Sequence, residues 1–387
     1  MTTSTQVDPF AAERWFLKRG LPAVLGPGAL TQRVLSRSAP ALAACGLVAA
    51  NSILVVAISG KHTIDIAGRP TLNQGVVLAL LILVLPAAVV LGWGVSRIDS
   101  LSRRRVVATA ALAAIALGVL FGGPANRIAV NLVIFGTALA AIIIATVTGL
   151  GSILGWAARN VVSNLKSAAG MFVRALPVVL LTFLVFFNSS VWTMAAVLPR
   201  GRLWVGLAFL FLIAAAFLVS STLDQARPIM ASSDPLPGDS GKLDGTPFAA
   251  IPDARDVPPL STVEGVNVAF VLATSQVGQV FTVAALTGGI FLVLGMILVS
   301  PTLLDSWTGN RGRHDGNVFD MTLPIPDPLI QVCLFLTAIT FMYLAAKAVT
   351  DQEYRVQFID RVTDDLRVTL KARDRYLSHL ALARPVA

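Results

Sequence analysis

Residues 128–148 read IAVNLVIFGTALAAIIIATVT and contain no Asp, Glu, Lys or Arg. A helix needs about 20 apolar residues to cross the bilayer hydrocarbon, so this stretch predicts a membrane span. Comparable stretches recur along the chain and predict eight spans, near residues 39–59, 75–95, 106–122, 128–148, 176–198, 203–223, 279–300 and 329–350. The predicted fold class is an all-α, polytopic transmembrane helix bundle with amphipathic cytoplasmic helices.

The composition agrees with this fold class. The 387-residue chain has a mean hydropathy of +0.76 and only 13% charged residues, whereas a soluble domain is about one quarter charged. A net charge of +9 could suggest a nucleic-acid partner. The basic residues, however, follow the loops of one membrane side, so the sequence predicts a lipid bilayer as partner and no nucleic acid.

The basic residues also predict the orientation. Most of the 30 Lys and Arg residues fall in the N-terminal segment, in the stretches 97–105, 149–175 and 224–278, and in the C-terminal tail. The opposite side holds Lys61, Arg69, Arg127, Arg200, Arg202, Arg311 and Arg313. An even number of spans places both termini on one side of the membrane. Loops rich in Lys and Arg are retained on the cytoplasmic side. Both termini are therefore predicted in the cytoplasm, and the Ala-, Val-, Gly- and Leu-rich composition indicates a bacterial inner membrane.

The predicted spans divide the chain into five parts. These are a cytoplasmic N-terminal segment at 1–38, spans one to six at 39–223 with an interfacial amphipathic helix at 151–174, a Pro- and Asp-rich cytoplasmic loop at 224–261, residues 262–350 and a cytoplasmic amphipathic tail helix at 351–387. Residues 262–350 contain a long helix with span seven, an outer loop at 301–328 and span eight.

The apolar stretch from residue 262 to residue 300 leaves two alternatives open. Ser261 and Glu264 form a plausible capping box at its start. One helix of this length would reach nearly 60 Å, about twice the hydrocarbon thickness. Either the helix projects into the cytoplasm or it breaks near Gly278, and in both cases its first half is expected in the cytoplasm or the interface.

The tail carries an apolar stripe among charges of both signs. Tyr354, Phe358, Val362 and Leu366 recur at helical spacing between Arg, Lys, Asp and Glu residues. This mixture is typical of a helix that docks on protein with one face and meets solvent with the other. These four residues are predicted to dock a partner. A helical cytoplasmic layer made of the tail, the 151–174 helix and the start of the 262–300 helix is the associated hypothesis.

The sequence predicts no catalytic residues, no metal site and no cofactor. His62, His314 and His379 are far apart in the chain, and no zinc, Walker A or nucleophile-elbow motif occurs. No Asp or Glu falls in the middle of a predicted span, which argues against a carboxylate proton relay. An enzyme is therefore the least supported class of protein.

The spans do contain neutral polar residues. Asn188, Ser190 and Trp192 lie toward the outer end of span five, Asn131 lies in span four and Asn51 in span one. Such groups most often join helices through hydrogen bonds. The alternative is contact with a substrate or a lipid, for which Asn188 is the first candidate; Trp192 also fits an interfacial aromatic belt.

Two stretches resemble a known group of sequences. One is Ala175-Leu-Pro, followed by Leu180-Leu-Thr-Phe-Leu-Val-Phe-Phe-Asn188 and Val191-Trp192. The other is the tail, with Glu353-Tyr-Arg, Phe358, Asp360, Asp365-Leu-Arg, Leu370, Arg373 and Tyr376-Leu. Together they are similar to a group of uncharacterised bacterial multi-pass integral membrane proteins. The resemblance covers mainly the second half of the chain and implies no activity, cofactor or site residue.

Two classes of function remain open. The first is a non-enzymatic scaffold or accessory subunit of a cell-envelope complex, whose partner would be a membrane protein or a second copy of the chain. The second is a transporter or lipid-handling protein with a neutral polar cavity. If the Asn side chains line one water-accessible cavity, transport is favoured; if each is buried in a helix contact, the scaffold is favoured.

Overall fold

A computed structural model describes residues 8–25, 27–66, 68, 70–163, 176–231, 243–252, 259–318, 321–350 and 361–383. Within these ranges the chain forms fourteen α-helices, a short 3-10 helix at Pro22–Val24 and one two-stranded hairpin. The fold is therefore an all-α helical bundle, which confirms the predicted fold class.

The elements follow one another in chain order. They are α1 (Pro9–Lys18), α2 (Pro27–Thr31), α3 (Val34–Ser59), α4 (Leu72–Ser96), α5 (Leu101–Phe121), α6 (Ile128–Val147), α7 (Leu150–Ser163), α8 (Leu176–Phe186), α9 (Ser189–Val197), α10 (Arg200–Ala231), α11 (Thr262–Leu298), α12 (Pro301–Thr308), β1 (Gly316–Val318), β2 (Met321–Leu323), α13 (Asp327–Thr350) and α14 (Arg361–Ala383).

Seven of the described helices are long and apolar enough to cross a membrane, namely α3, α4, α5, α6, α10, α11 and α13. This agrees with a multi-pass membrane protein. The stretch 176–198, predicted as span five, is instead two short helices, α8 and α9, that break at Phe187 and Asn188. The break arises because Asn188 caps α9, its side-chain oxygen accepting a hydrogen bond from the Ser190 N–H at 3.0 Å.

The helices α3 to α6 form one packed group that close helix contacts hold together. A Cβ at Gly118 of α5 would lie 2.7 Å from the Cβ of Ala49 on α3, and a Cβ at Gly46 of α3 would lie 3.0 Å from the Cα of Ala111. Small residues at such a crossing let two backbones approach closely. Helices in a bilayer associate through this close packing, because the hydrophobic effect does not drive them together in lipid. By contrast, α4 and α6 expose most of their apolar side chains.

The helices α10, α11 and α13 form a second group. Its core includes Ala214 and Leu218 of α10, Val280 and Ala284 of α11, and Phe341 of α13. Phe211 stacks on Phe341 with ring centroids 4.6 Å apart. The short helices α8, α9 and α12 pack on the same group near the start of α13.

Loops from both groups meet at one end of the bundle, here called the outer end. The Ile66 N–H donates to the Thr322 carbonyl at 3.0 Å, and the Thr322 N–H donates to the Ile64 carbonyl at 2.9 Å. Arg200, at the start of α10, pairs with Asp327 at the start of α13. The two backbone bonds connect the α3–α4 loop to the β1–β2 hairpin, and the ion pair joins α10 to α13 within the second group.

The opposite end, called the inner end, carries a second layer of structure, the inner layer. It contains α1, Pro22–Val24, residues 243–252, the start of α11 and α14. α11 is continuous over 37 residues, so the first of the two alternatives for residues 262–300 applies and the helix extends beyond the spans. Its Gln276 and Gln279 are buried.

One boundary differs from the predicted one. The Pro- and Asp-rich loop was expected to begin at residue 224, but α10 continues to Ala231. Within that loop, residues 243–252 form turns whose Leu243 and Phe248 are fully buried in the inner layer. The predicted interfacial helix is α7, described as far as Ser163; the remainder, 164–175, lies outside the described residues.

Candidate functional site

The break between α8 and α9 brings three of the predicted site residues together. Asn188 caps α9, Ser190 lies in its first turn, and Trp192 follows two residues later. The indole Nε1–H of Trp192 donates to the Phe186 carbonyl at 2.6 Å, which satisfies a carbonyl that the break leaves without a helical partner. Trp192 is fully buried rather than exposed in an aromatic belt.

Aromatic rings surround the break. The ring centroid of Phe186 lies 5.4 Å from that of Trp192 and 5.3 Å from that of Phe291. The ring centroids of Trp192 and Trp307 are 5.3 Å apart. The Thr193 hydroxyl donates to the Trp307 carbonyl at 2.9 Å, which joins α9 to α12. Asn188 and Ser190 themselves are exposed. The break is therefore a packed junction with a polar rim.

Asn131 and Asn51 lie in the other helix group. The Asn131 amide donates to the carbonyls of Gly122 and Ala125 at 3.0 and 2.9 Å, and its oxygen accepts from the Ala125 N–H at 3.1 Å. It therefore closes the α5–α6 loop. Asn51 precedes Ser52, whose hydroxyl accepts from the Gly123 N–H at 3.1 Å. The five predicted residues thus fall into two separate groups at the outer end.

The inner layer is the second candidate. Its apolar core combines Phe16 of α1, Phe248, Val268 and Leu272 of α11, and Ala372 of α14. Trp15, Trp156 and Tyr376 pack around that core. Four parts of the sequence that are remote from one another therefore form one body attached to the spans.

A buried ion pair joins α14 to α11. The Arg373 Nε and Nη2 atoms donate to the two carboxylate oxygens of Glu264 at 2.7 and 2.8 Å. Their side chains are only 4% and 8% exposed. Glu264 is the third residue of α11 and completes the capping box, because its carboxylate accepts from the Ser261 N–H at 2.9 Å. One carboxylate therefore both starts α11 and fixes the tail helix.

Further hydrogen bonds tie the remaining segments to these two helices. Arg375 donates to the Phe248 carbonyl at 3.0 Å. The Asn267 amide of α11 donates to the Gly20 carbonyl at 3.0 Å, and its oxygen accepts from the Ala23 N–H at 3.0 Å. Gly20 has φ +74°, which favours glycine at the turn after α1.

Burial shifts the titration of several groups in the layer. It would lower the pKa of Arg373, but hydrogen bonds and charge attraction from Glu264 and Asp374 raise it. Burial raises the pKa of the Asp374 carboxyl, although Arg373 opposes that shift. It also raises the pKa of the Tyr376 hydroxyl, to which the charge of Glu13 adds. The layer therefore favours an ionised Arg373 and a neutral Tyr376.

The predicted docking residues have different positions. Leu366 is buried in the core of the inner layer, where this chain itself covers it. Tyr354 and Phe358, and the side chain of Val362, lie outside the described residues. Among the described residues, no three His, Cys, Asp or Glu side chains are grouped so that they could hold a metal ion.

The predicted cytoplasmic layer contained the tail and the start of α11, but not Phe248 or α1, and it assigned no role to Arg373. Arg373 belongs to a run of alternating charges in the tail, and nothing in its spacing distinguishes it from exposed neighbours. The signal that existed was Glu264, an acidic capping residue just before an apolar stretch.

The chain matches no protein-family model, and neither a curated protein nor a solved structure is significantly similar to it. The resemblance to a bacterial group of membrane proteins therefore remains a prediction. The helical architecture by itself defines the class, a multi-pass membrane protein.

Proposed function

We propose that this chain is a non-enzymatic scaffold or accessory subunit of a cell-envelope complex. The observation that carries the proposal is the inner layer, in which segments from both ends of the sequence pack into one core that a buried ion pair closes. Membrane insertion of the spans requires no such layer. A rigid body attached to the spans is suited to holding a second protein.

The placement of the polar residues supports the same conclusion. Asn131 closes a loop of the first helix group, and Asn188 caps a helix of the second. The Trp192 indole N–H donates a hydrogen bond to the Phe186 carbonyl. Since each of these groups has a local role in the fold, the arrangement favours a structural use of the polar residues over a shared substrate cavity.

The proposal places the protein in a bacterial inner membrane with both termini in the cytoplasm. Support comes from the Arg-rich inner end, because basic residues are retained on the cytoplasmic side. The test uses single cysteines at Lys61 and Lys18 in a chain without Cys45 and Cys333. A membrane-impermeant thiol reagent should label Lys61→Cys in intact cells and Lys18→Cys only after lysis; the reverse pattern would contradict this orientation.

The scaffold itself is tested in intact cells. A photo-crosslinking amino acid at Arg367, whose side chain is 39% exposed on α14, should capture one protein in a fixed ratio to the chain. The same amino acid at Arg202, at the outer end, is the control. Reciprocal purification of the captured protein should recover this chain, and Arg373→Met should reduce the yield. A chain that purifies alone and captures nothing at Arg367 would refute the scaffold.

The transporter or lipid-handling alternative rests on one observation, the helix break at Phe187 and Asn188 inside a predicted span. Broken helices within the membrane often surround substrate sites. Under this alternative, Asn188→Asp, which preserves the cap, should fail to complement a strain that lacks the gene. The melting temperature of the protein should not change. Full complementation by that variant would remove the support for the alternative.

A further inference from the structure

We propose that the connection between α4 and α5 binds the headgroup of an anionic phospholipid. The residues that carry the proposal are Trp93, Arg97, Arg103 and Arg105, here called the α4–α5 corner. Trp93 and Arg97 end α4, and Arg103 and Arg105 lie in the first turns of α5. The corner lies where two apolar helices emerge from the bilayer region, so it lies at the level of lipid headgroups.

Arg104 gives the corner a fixed shape. Its Nε donates to the Ile98 carbonyl at 2.7 Å, and its Nη2 donates to the Ser96 carbonyl at 2.7 Å. The Ser96 carbonyl lies in the last turn of α4, where carbonyls lack helical partners, and Ile98 lies in the connection that follows. Its neighbours Arg103 and Arg105 are exposed.

The acidic residue of the connection does not neutralise the corner. Asp99 lies 3.4 Å from Arg14 of α1, which is an ion pair between exposed side chains. Arg97, Arg103 and Arg105 are exposed, and none of the three forms an ion pair within the part of the chain that the structure describes. Three exposed positive charges at the corner can therefore attract a phosphate group.

The stacking of Arg97 favours a lipid over a free phosphate ion. Its guanidinium lies 3.7 Å from the ring centroid of Trp93, whose side chain is 48% exposed. Val89, one helical turn before Trp93 on the same face, is 67% exposed. An acyl chain can therefore lie along Val89 and the indole while the phosphate meets Arg97. Tryptophan at this depth is typical of the membrane interface, and basic residues there recognise anionic headgroups.

Native mass spectrometry of the full-length protein provides the test. The protein is released from bilayers that contain equal amounts of phosphatidylglycerol and phosphatidylcholine, and the retained lipids are counted. Wild type should retain phosphatidylglycerol preferentially. In the variant Arg97→Gln/Arg103→Gln/Arg105→Gln, the ratio of retained phosphatidylglycerol to phosphatidylcholine should fall at least about tenfold, because each basic residue near an anionic surface adds to the attraction. Phosphatidylcholine retention should not change.

The matched control removes the same charge at the outer end, in Arg127→Gln/Arg202→Gln/Arg311→Gln, and should keep the preference. If the Gln variant does not fold, Arg97→Lys/Arg103→Lys/Arg105→Lys preserves the charge and should retain most of the preference. Equal phosphatidylglycerol retention by the wild type and the Gln variant would overturn the proposal. Displacement of the lipid by millimolar inorganic phosphate would assign the corner to a free anion and also overturn it.

Discussion

Arg373 and Glu264 form two hydrogen bonds of 2.7 and 2.8 Å inside the inner layer. Two charges are removed from water at this point, and the paired geometry offsets the desolvation. Arg373 also bonds Asp374 at 2.9 Å. At the scale of single residues, this guanidinium joins α14 to the start of α11.

Replacement of Arg373 by Met should destabilise the inner layer by about 3–5 kcal/mol, because Glu264 is then left buried without a partner charge. Glu264→Gln keeps a capping-box side chain, so the double variant Glu264→Gln/Arg373→Met should recover most of that loss. Hydrogen exchange of α14 and of residues 243–252 measures the effect. A double variant that exchanges as fast as Arg373→Met would show that the charge pair is not responsible.

Tyr376 gives the layer an alkaline limit. Burial raises the pKa of its hydroxyl, so the folded protein holds the proton more tightly than the unfolded chain does. The stabilisation is present below the unfolded pKa of about 10 and is lost as the pH rises through the folded value.

We therefore expect Tyr376→Phe to reduce the fall in melting temperature between pH 9 and pH 11 relative to wild type. The melting temperatures of both proteins in the same detergent measure this difference. Tyr343→Phe, on α13, is the control for the loss of a hydroxyl. Parallel curves for wild type and Tyr376→Phe would contradict the pH effect.

At the scale of elements, glycine decides how closely the helices of the second group pack. A Cβ at Gly288 of α11 would collide with the Thr337 hydroxyl and lie 3.3 Å from the Cys333 carbonyl of α13. The adjacent Gly289 has nothing within 4 Å of its Cβ position. Two neighbouring glycines on one helix therefore differ only in what faces them.

Gly288→Leu should separate α11 from α13 and destabilise the protein by about 1–3 kcal/mol, the usual effect of overpacking. Gly289→Leu changes the same helix by the same side chain and should leave stability nearly unchanged. Unfolding of both variants in one detergent by increasing denaturant measures the difference. A similar loss in both variants would show that the contact between Gly288 and Thr337 does not cause it, since helix propensity favours Leu over Gly at both positions.

The sequence predicted the elements unequally well. Long apolar stretches such as residues 128–148 identified the helices α3 to α6, because hydrocarbon forces the backbone to form its hydrogen bonds within the segment. Hydropathy failed at 176–198, where Asn188 ends one helix and caps the next. An average over a window does not respond to a single capping side chain, so the break was predicted as a continuous span.

At the scale of the whole molecule, the two helix groups are joined at both ends. The α3–α4 loop pairs with β2 through Ile64, Ile66 and Thr322 at the outer end. At the inner end, α7 lies between α1 and α11, where the Asn160 amide donates to the Ser275 hydroxyl at 2.7 Å. These junctions should limit movement of one group against the other.

A cysteine pair at Asp65 and Thr322, in a chain without Cys45 and Cys333, should therefore be linked efficiently by a short bifunctional thiol reagent. The two residues are bridge partners between the α3–α4 loop and β2. The pair Asp65→Cys/Asp365→Cys joins opposite ends and should not be linked, since helix α3 alone separates the ends by about 39 Å at 1.5 Å per residue. Mobility on a denaturing gel reports the product; no link at Asp65 and Thr322 would contradict the joined arrangement.

The sequence by itself determined the class of protein, because about 20 apolar residues without charge have few stable positions except across a bilayer. It also identified the amphipathic tail and the capping box at Ser261. The tertiary structure decided that α11 continues unbroken and that Glu264 meets Arg373, which lies 109 residues away. That pairing depends on how α1, α14 and residues 243–252 bury their apolar faces together. Contacts between segments that are remote in the chain produce no periodic pattern in the sequence, so the sequence does not reveal them.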